Sequence, residues 1–269
     1  MTTGRRRRGG LSAPVRTTLS KVPEVTGVFW ITKVLTTGMG ETTSDWLAHV
    51  LDPVVAVGLA GVALAAVLAL QFTVTAYVPW IYWTAVVMVS VFGTMAADVA
   101  HVGLGVPYEV SAAAFLVALA VIFGLWYASE RTLSVHRIRS RRREAFYWAT
   151  VLVTFALGTA VGDLTAATLG LGYLSSGLLF AVLIAVPALA HRGLGLGAVP
   201  AFWAAYVVTR PLGASFADWM AAPGAHGGLG WDYGPVSAVL TVVIVALVLS
   251  LQAAQKSSSK ETVPSTATW

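Results

Sequence analysis

Apolar residues in this chain do not alternate, and they do not form narrow amphipathic stripes. They run together in blocks about 20 residues long, the length a helix needs to cross the hydrocarbon core of a bilayer. Eight blocks stand out, at roughly 25–46, 53–72, 79–102, 108–127, 145–168, 172–191, 199–220 and 233–252. They predict an all-α integral membrane protein of eight transmembrane helices. The blocks are of two kinds. The second, fourth, sixth and eighth are plain, with no charge except Glu109 at the edge of the fourth, whereas the other four each carry at least one charge. The first is the least regular: FWITKVLTTGMGETTSD, residues 29–45, holds Lys33, Glu41 and Asp45.

The charged blocks are copies of one another. Aligned on an aromatic–Trp pair, they start at Phe29-Trp30, Tyr82-Trp83, Tyr147-Trp148 and Phe202-Trp203. Ten residues after each Trp stands a glycine: Gly40, Gly93, Gly158 and Gly213. Fourteen after it stands a small residue, Ser44, Ala97, Gly162 or Ala217, and fifteen after it an aspartate: Asp45, Asp98, Asp163 and Asp218. Each copy with the plain block that follows makes one two-helix unit, expected to be a hairpin. An even number of spans per unit gives all four units the same orientation, so the repeats are parallel rather than inverted.

The four aromatic–Trp pairs and the opening KVPEVTGVFWITKVLTTGMGETTSD resemble bacterial multi-pass membrane proteins built from four tandem domain-of-unknown-function 347 repeats. The resemblance covers about residues 21–252. It implies two spans and a characteristic tryptophan in each repeat. It brings no established activity, so function has to be argued from the residues.

Composition narrows the chemistry. Of 269 residues, 57% are hydrophobic and only 11% charged, against about 25% charged in soluble domains. The mean hydropathy is +0.77. With no cysteine, disulfides, thiolate metal sites and thiol nucleophiles are excluded. There is no HExxH, no phosphate-binding glycine loop and no nucleophile elbow, and no enzyme is expected. The run Arg5–Arg8 reads as a topology signal rather than a nucleic-acid site. Lysine and arginine gather before the first block, in SERTLSVHRIRSRRR (129–143), and at Arg192, Lys256 and Lys260, while loops 47–52, 103–107, 169–171 and 221–232 have none. Both termini are therefore expected in the cytoplasm and the protein in the inner (plasma) membrane.

The expected organisation follows. Residues 1–20 form a basic, disordered segment with no cleaved signal peptide. Repeats occupy 21–72, 78–127, 144–192 and 196–252. A basic loop, 128–143, separates the halves, and 253–269 is a disordered tail.

At about 100° per residue, positions 0, 7, 11 and 15 from each Trp share one helix face. In the first copy these are Trp30, Thr37, Glu41 and Asp45; in the second Trp83, Ser90, Thr94 and Asp98. The third reads Trp148, Phe155, Thr159, Asp163, and the fourth Trp203, Arg210, Ala214, Asp218. The glycine and small residue border this stripe and allow close helix approach. The four motif helices are thus expected to line a polar centre, with the plain helices outside. A charge at mid-membrane costs roughly 2.5–3.5 kcal/mol even on the lenient insertion scale, which favours an interior place for these groups.

Alternatives stay open for each. The aspartates, about 22 Å beyond the Trp residues, either line an interior path or cap the outer turns. The tryptophans either anchor the membrane interface or line a substrate path. Lys33 and Arg210 either tune the acids or form structural ion pairs. Glu41, Asp45, His49, Asp98 and His101 make a candidate metal set, or the histidines are merely interfacial. Apart from Glu109 at an edge, the spans hold five acids against two bases, and a buried deficit of positive charge calls for protons or a bound cation. The expectation is a transporter or exporter of a small cation, a divalent metal and proton coupling being left open, with no other cofactor. The competing readings are a scaffold or sensor, and a carrier of another small, organic solute.

Overall fold

The computed structural model describes residues 20–261. The expected segment 1–20 therefore lies almost wholly outside the described residues. Among the described residues nine α-helices follow in order: α1 (Gly27–Val50), α2 (Pro53–Thr73), α3 (Pro79–Asp98), α4 (Tyr108–Glu130), α5 (Arg141–Asp163), α6 (Gly172–Leu183), α7 (Ala185–Gly193), α8 (Ala198–Ala221) and α9 (Tyr233–Glu261). No strand occurs among the described residues.

Local chemistry sets several helix starts. The Thr26 hydroxyl accepts from the Phe29 N–H at 3.3 Å. Asp52 caps α2, accepting from Val54 N and Val55 N at 2.9 and 3.3 Å, with Pro53 at the first helical position, where no N–H is needed. Ser140 accepts from Arg143 N at 3.2 Å at the start of α5. After Asp98 and again after Asp163 the helix widens into one π-turn, Val99–Gly103 and Leu164–Thr168. The two repeats share this irregularity at the same motif position.

The four motif helices α1, α3, α5 and α8 form a closed ring, each packed on the next and α8 returning to α1. The motif glycines mark the contacts. A Cβ on Gly40 would lie 1.8 Å from Ser90 Oγ; on Gly93, 2.5 Å from Phe155 Cβ; on Gly158, 2.1 Å from Arg210 Cβ; on Gly213, 2.7 Å from Thr37 Cγ2. Each glycine therefore meets position 7 of the following copy, and the fourth meets the first. Only a residue without Cβ permits this approach. Identical positions meeting at every contact make the four helices parallel.

The plain helices form the outer layer, but not as hairpins. Each packs chiefly on the motif helix of the next repeat: α2 on α3, α4 on α5, α6 on α8, and α9 back on α1. The expected pairing within each unit is corrected accordingly. Within their most apolar windows only 17% of α2 and 22% of α4 is buried, against 56% of α3 and 67% of α5. The outer helices thus keep an apolar face turned outward, as a lipid solvent demands.

Among the described residues six helical segments are long and apolar enough to cross a membrane: those at 53–73, 79–103, 108–130, 141–168, 172–193 and 233–257. Of the eight expected spans, α1 and α8 fall outside this set. They are 24 residues each but carry Lys33, Glu41, Asp45 and Arg210, Asp218. The tail is also corrected: α9 runs to Glu261, because AAQK is good helix-forming sequence. Gln255 Nε2 further donates to the Tyr77 carbonyl at 3.1 Å. Residues 262–269 lie outside the description.

The stretch before α1 crosses the Trp end of the ring as a strap. Lys21, 6% exposed, pairs with Glu144 at the start of α5 at 2.5 Å. Gln71 of α2 donates to the other oxygen of Glu144 at 3.0 Å. Backbone bonds from Lys21 N to Ile138 O and from Tyr77 N to Ser20 O, 3.2 and 3.1 Å, complete the tie.

Candidate functional site

The ring closes around a column of side chains that changes character in layers. At the Trp end lies an aromatic seal. Each tryptophan packs on the aromatic residue that opens the preceding copy. Trp83 meets Phe29 at 5.8 Å between centroids, Trp148 meets Tyr82 at 5.7 Å, Trp203 meets Tyr147 at 6.2 Å and Trp30 meets Phe202 at 5.6 Å. Trp83, Trp148 and Trp203 are 1%, 4% and 5% exposed. These three are core residues, which corrects the interface-anchor reading; Trp30 is half-buried. Trp203 Nε1 also donates to the Leu133 carbonyl at 2.9 Å, pinning the linker between the halves.

Two seal residues share a hydroxyl contact, Tyr82 to Tyr147 at 2.5 Å. Removing one hydroxyl by Tyr82→Phe strands a buried partner, and a loss of about 1 to 3 kcal/mol is expected. The Tyr82→Phe/Tyr147→Phe double variant should lose less than the two singles together, as thermal unfolding in detergent would show. Beside the seal, in the loop before α3, burial pushes the Tyr77 phenol up to about 12 against the opposing pull of Trp83 Nε1, which donates to it at 3.2 Å. It remains an uncharged hydroxyl at any ordinary pH.

Above the seal sits Lys33, fully buried. Its ammonium lies over the rings of Phe155 and Tyr206, 4.2 and 4.5 Å from their centroids, and donates to Thr37 Oγ1 at 3.3 Å. No carboxylate lies within ion-pair distance of it among the described residues. Cation–π attraction is strongest where water is excluded, as here.

The next layer joins all four motif helices. Arg210 of α8, 0% exposed, reaches Glu41 of α1 at 3.4 Å. Its Nη2 donates to Thr94 Oγ1 of α3 at 2.9 Å and to Thr159 Oγ1 of α5 at 3.1 Å. Both hydroxyls donate in turn to Glu41 Oε2, at 2.9 and 3.1 Å. Nη1 donates to the Thr37 carbonyl and to Ser90 Oγ, at 3.2 and 3.3 Å. The guanidinium plane lies over Phe155 at 4.0 Å. Glu41, Thr94 and Thr159 are all at position 11 of their copies. A planar fork with several donors can serve many acceptors at once. Arg210 is thus ion-paired, whereas Lys33 is not.

Above this plug burial falls off. Asp218 is 8% exposed, while Asp45, Asp98 and Asp163 are half-buried. The four carboxylates feel one another's charge at this end of the column, called the mouth below. Asp45 interacts electrostatically with Glu41, Asp98 and Asp163, and Asp218 with Glu41 and all three other aspartates. Ser44, next to Asp45, donates to Asp98 Oδ2 at 3.4 Å.

Three tyrosines rim the mouth. Tyr108, Tyr173 and Tyr233, at the starts of α4, α6 and α9, are half-buried and interact with the aspartate charges. They were missed in the sequence. Tyr108 and Tyr173 both stand 25 residues after their Trp, a register that could have found them; a five-residue insertion displaces Tyr233.

The metal set is not assembled. His49 is exposed; its Nδ1 donates to the Asp45 carbonyl at 2.6 Å, and its ring stacks on Tyr233 at 5.7 Å. His101 is turned to Tyr108, 4.2 Å away, and to Ser111. Among the described residues no three His, Asp or Glu side chains are placed to hold a metal ion. Glu41, Asp45 and Asp98 keep their place in the column, while both imidazoles are taken by their own turns.

Neither curated proteins nor solved structures provide a match to the chain. A family model described as Repeat of Unknown Function (DUF347) matches residues 28–77, 81–132, 146–194 and 201–257. With four tandem copies covering most of its length, the chain belongs to the DUF347 repeat family.

Proposed function

We propose that this is a membrane carrier of a cation, with the aspartate mouth as its binding vestibule and the Glu41–Arg210 layer as its closed inner gate. The observation that carries the proposal is the gradient along one column. Four half-buried or buried carboxylates lie at one end, a fully buried ion pair across all four helices below them, and packed aromatics at the other end. A path open at one end and sealed at the other fits a carrier in one of its alternating states. No catalysis is part of the reading.

In this proposal α1 and α8 also cross the membrane, giving eight spans. At 1.5 Å per residue a 24-residue helix reaches about 36 Å. Their charged side chains turn into the ring, so the low apolarity of these helices is no obstacle. The lysine and arginine asymmetry then places the Trp end and both termini in the cytoplasm of a plasma membrane, and the aspartate mouth outside.

The test is electrical. Wild-type protein in liposomes is challenged with steps of sodium, manganese or tetramethylammonium, beside Asp98→Asn and Asp163→Asn. A current for at least one cation is expected, reduced at least about tenfold in both variants, since each removes a charge that the cation would meet in a low-dielectric site. Helical content should be unchanged. Currents equal in both variants and in empty liposomes would remove the reading and leave the column as a scaffold.

A further inference from the structure

We propose that the cation is an organic ammonium, first recognised in a separate hollow beside the aspartate mouth, walled by Trp46 and Tyr233. The proposal rests on the carrier reading and names its substrate class.

The hollow measures about 710 Å³, within the roughly 300–1,000 Å³ usual for small-molecule sites. Trp46, His49, Pro223, Gly230, Asp232 and Tyr233 line it, with no lysine or arginine. Trp46 follows Asp45 directly, so the hollow borders the mouth. Its indole is seated against Gly234, where a Cβ would lie 3.1 Å from Cδ1 and Nε1, yet the residue is 44% exposed. It is an aromatic face held in place and left open. Tyr233, on the other side, interacts with the Asp45 and Asp218 charges.

The far wall is a built loop, found only in the fourth repeat. Leu229 N donates to Trp219 O at 2.7 Å, Gly230 N to Ala222 O at 2.9 Å, Trp231 N to Met220 O at 3.0 Å and Asp232 N to Ala221 O at 3.1 Å. These bonds satisfy the last carbonyls of α8 and fix the loop. A Cβ at Gly228 would lie 2.0 Å from Ala222 O. Asp232 itself takes φ 69°, a conformation most residues avoid but Asp and Asn tolerate. The loop thereby presents one carboxylate at the rim of the hollow that Trp46 also lines, its Oδ1 accepting from the Tyr233 N–H at 2.7 Å.

Aromatic faces beside carboxylates recognise an alkylated ammonium, whose positive charge is spread over carbon and weakly hydrated. They suit a small metal ion poorly, because π faces offer no lone pair, and the described residues assemble no metal set. The same chemistry continues inward, where Tyr108 and Tyr173 stand beside the aspartates.

Tetramethylammonium binding to the full-length protein in detergent tests this, measured by saturation-transfer NMR at constant ionic strength with rubidium as competitor. Saturable binding is expected. Trp46→Leu should weaken it about tenfold and Asp232→Asn about threefold, and Trp80→Ala, an exposed indole at the opposite end, should leave it unchanged. Rubidium should not displace the probe. Asn keeps the Asp232 backbone conformation, so that variant reads charge even if Trp46→Leu folds poorly. Absence of saturable binding, or wild-type affinity in both Trp46→Leu and Asp232→Asn, overturns the proposal; so does displacement by rubidium. The two readings separate in Asp98→Asn. Retained binding with lost current supports both. Currents that survive there, with binding still dependent on Trp46, remove the aspartate pathway and leave the hollow. Currents lost there, with no probe binding in wild type, remove the hollow alone.

Discussion

Arg210→Met should destabilise the protein by about 3 to 5 kcal/mol, because it leaves the Glu41 carboxylate buried without a cationic partner. Methionine keeps much of the volume and the unbranched shape, so packing loss is the smaller part. Glu41 is 4% exposed and its Oε2 would retain only the Thr94 and Thr159 hydroxyls. Those hydroxyls would in turn lose Arg210 as a donor. Thermal unfolding in detergent reads the effect. The Glu41→Gln/Arg210→Met double variant should regain part of the loss, since no uncompensated charge remains. Equal stability of Arg210→Met and wild type would mean that the central ion pair does not hold the ring. Recovery in the double variant would also show that the pair is kept for more than stability, since buried pairs often give little net stabilisation.

The second large effect is steric. Gly158→Ala should cost about 3 kcal/mol, at the upper end of overpacking penalties. The new methyl would meet Arg210 Cβ at 2.1 Å and Pro211 Cδ at 3.2 Å, and a Cβ fixed to the backbone cannot turn aside. Either α5 and α8 separate or the guanidinium leaves its layer. Gly58→Ala on α2 is the matched control, with nothing within 4 Å of the added atom. It should raise stability by up to about 1 kcal/mol through helix propensity alone. Opposite signs at the two glycines are the expected result. A neutral Gly158→Ala would mean that the ring tolerates wider spacing than its contacts imply.

In the proposed carrier, the strap at the Trp end would bear on how the gate moves. Lys21, Glu144 and Gln71 tie the start of α5 to the end of α2. Opening the aromatic seal would have to pull against that buried pair, or carry it along as a unit. The π-turns after Asp98 and Asp163 lie at the other end. Such turns leave a locally weaker hydrogen-bond ladder, frequent at functional sites.

Helix positions, the four-part repeat and the family were legible in the chain, because length, apolarity and spacing are local properties. So was the polar face shared by positions 7, 11 and 15, since helical periodicity decides which residues of one helix lie together. The glycines were readable as contacts, although not whose contact each would be. Partners were not readable. Nothing in the repeat distinguishes an outer helix packed on its own motif helix from one packed on the next, and only the closed ring shows that α9 returns to α1. The same holds for charge. The sequence offered five acids to two bases; the fold paired Arg210 with Glu41 and set Lys33 over two aromatic rings. His49 and His101, close to acids along the chain, were carried off by Tyr233 and Tyr108. Periodicity thus determined which side chains share a face. Which neighbour meets that face was decided only in three dimensions, where four helices had to satisfy one another's buried polar groups at once.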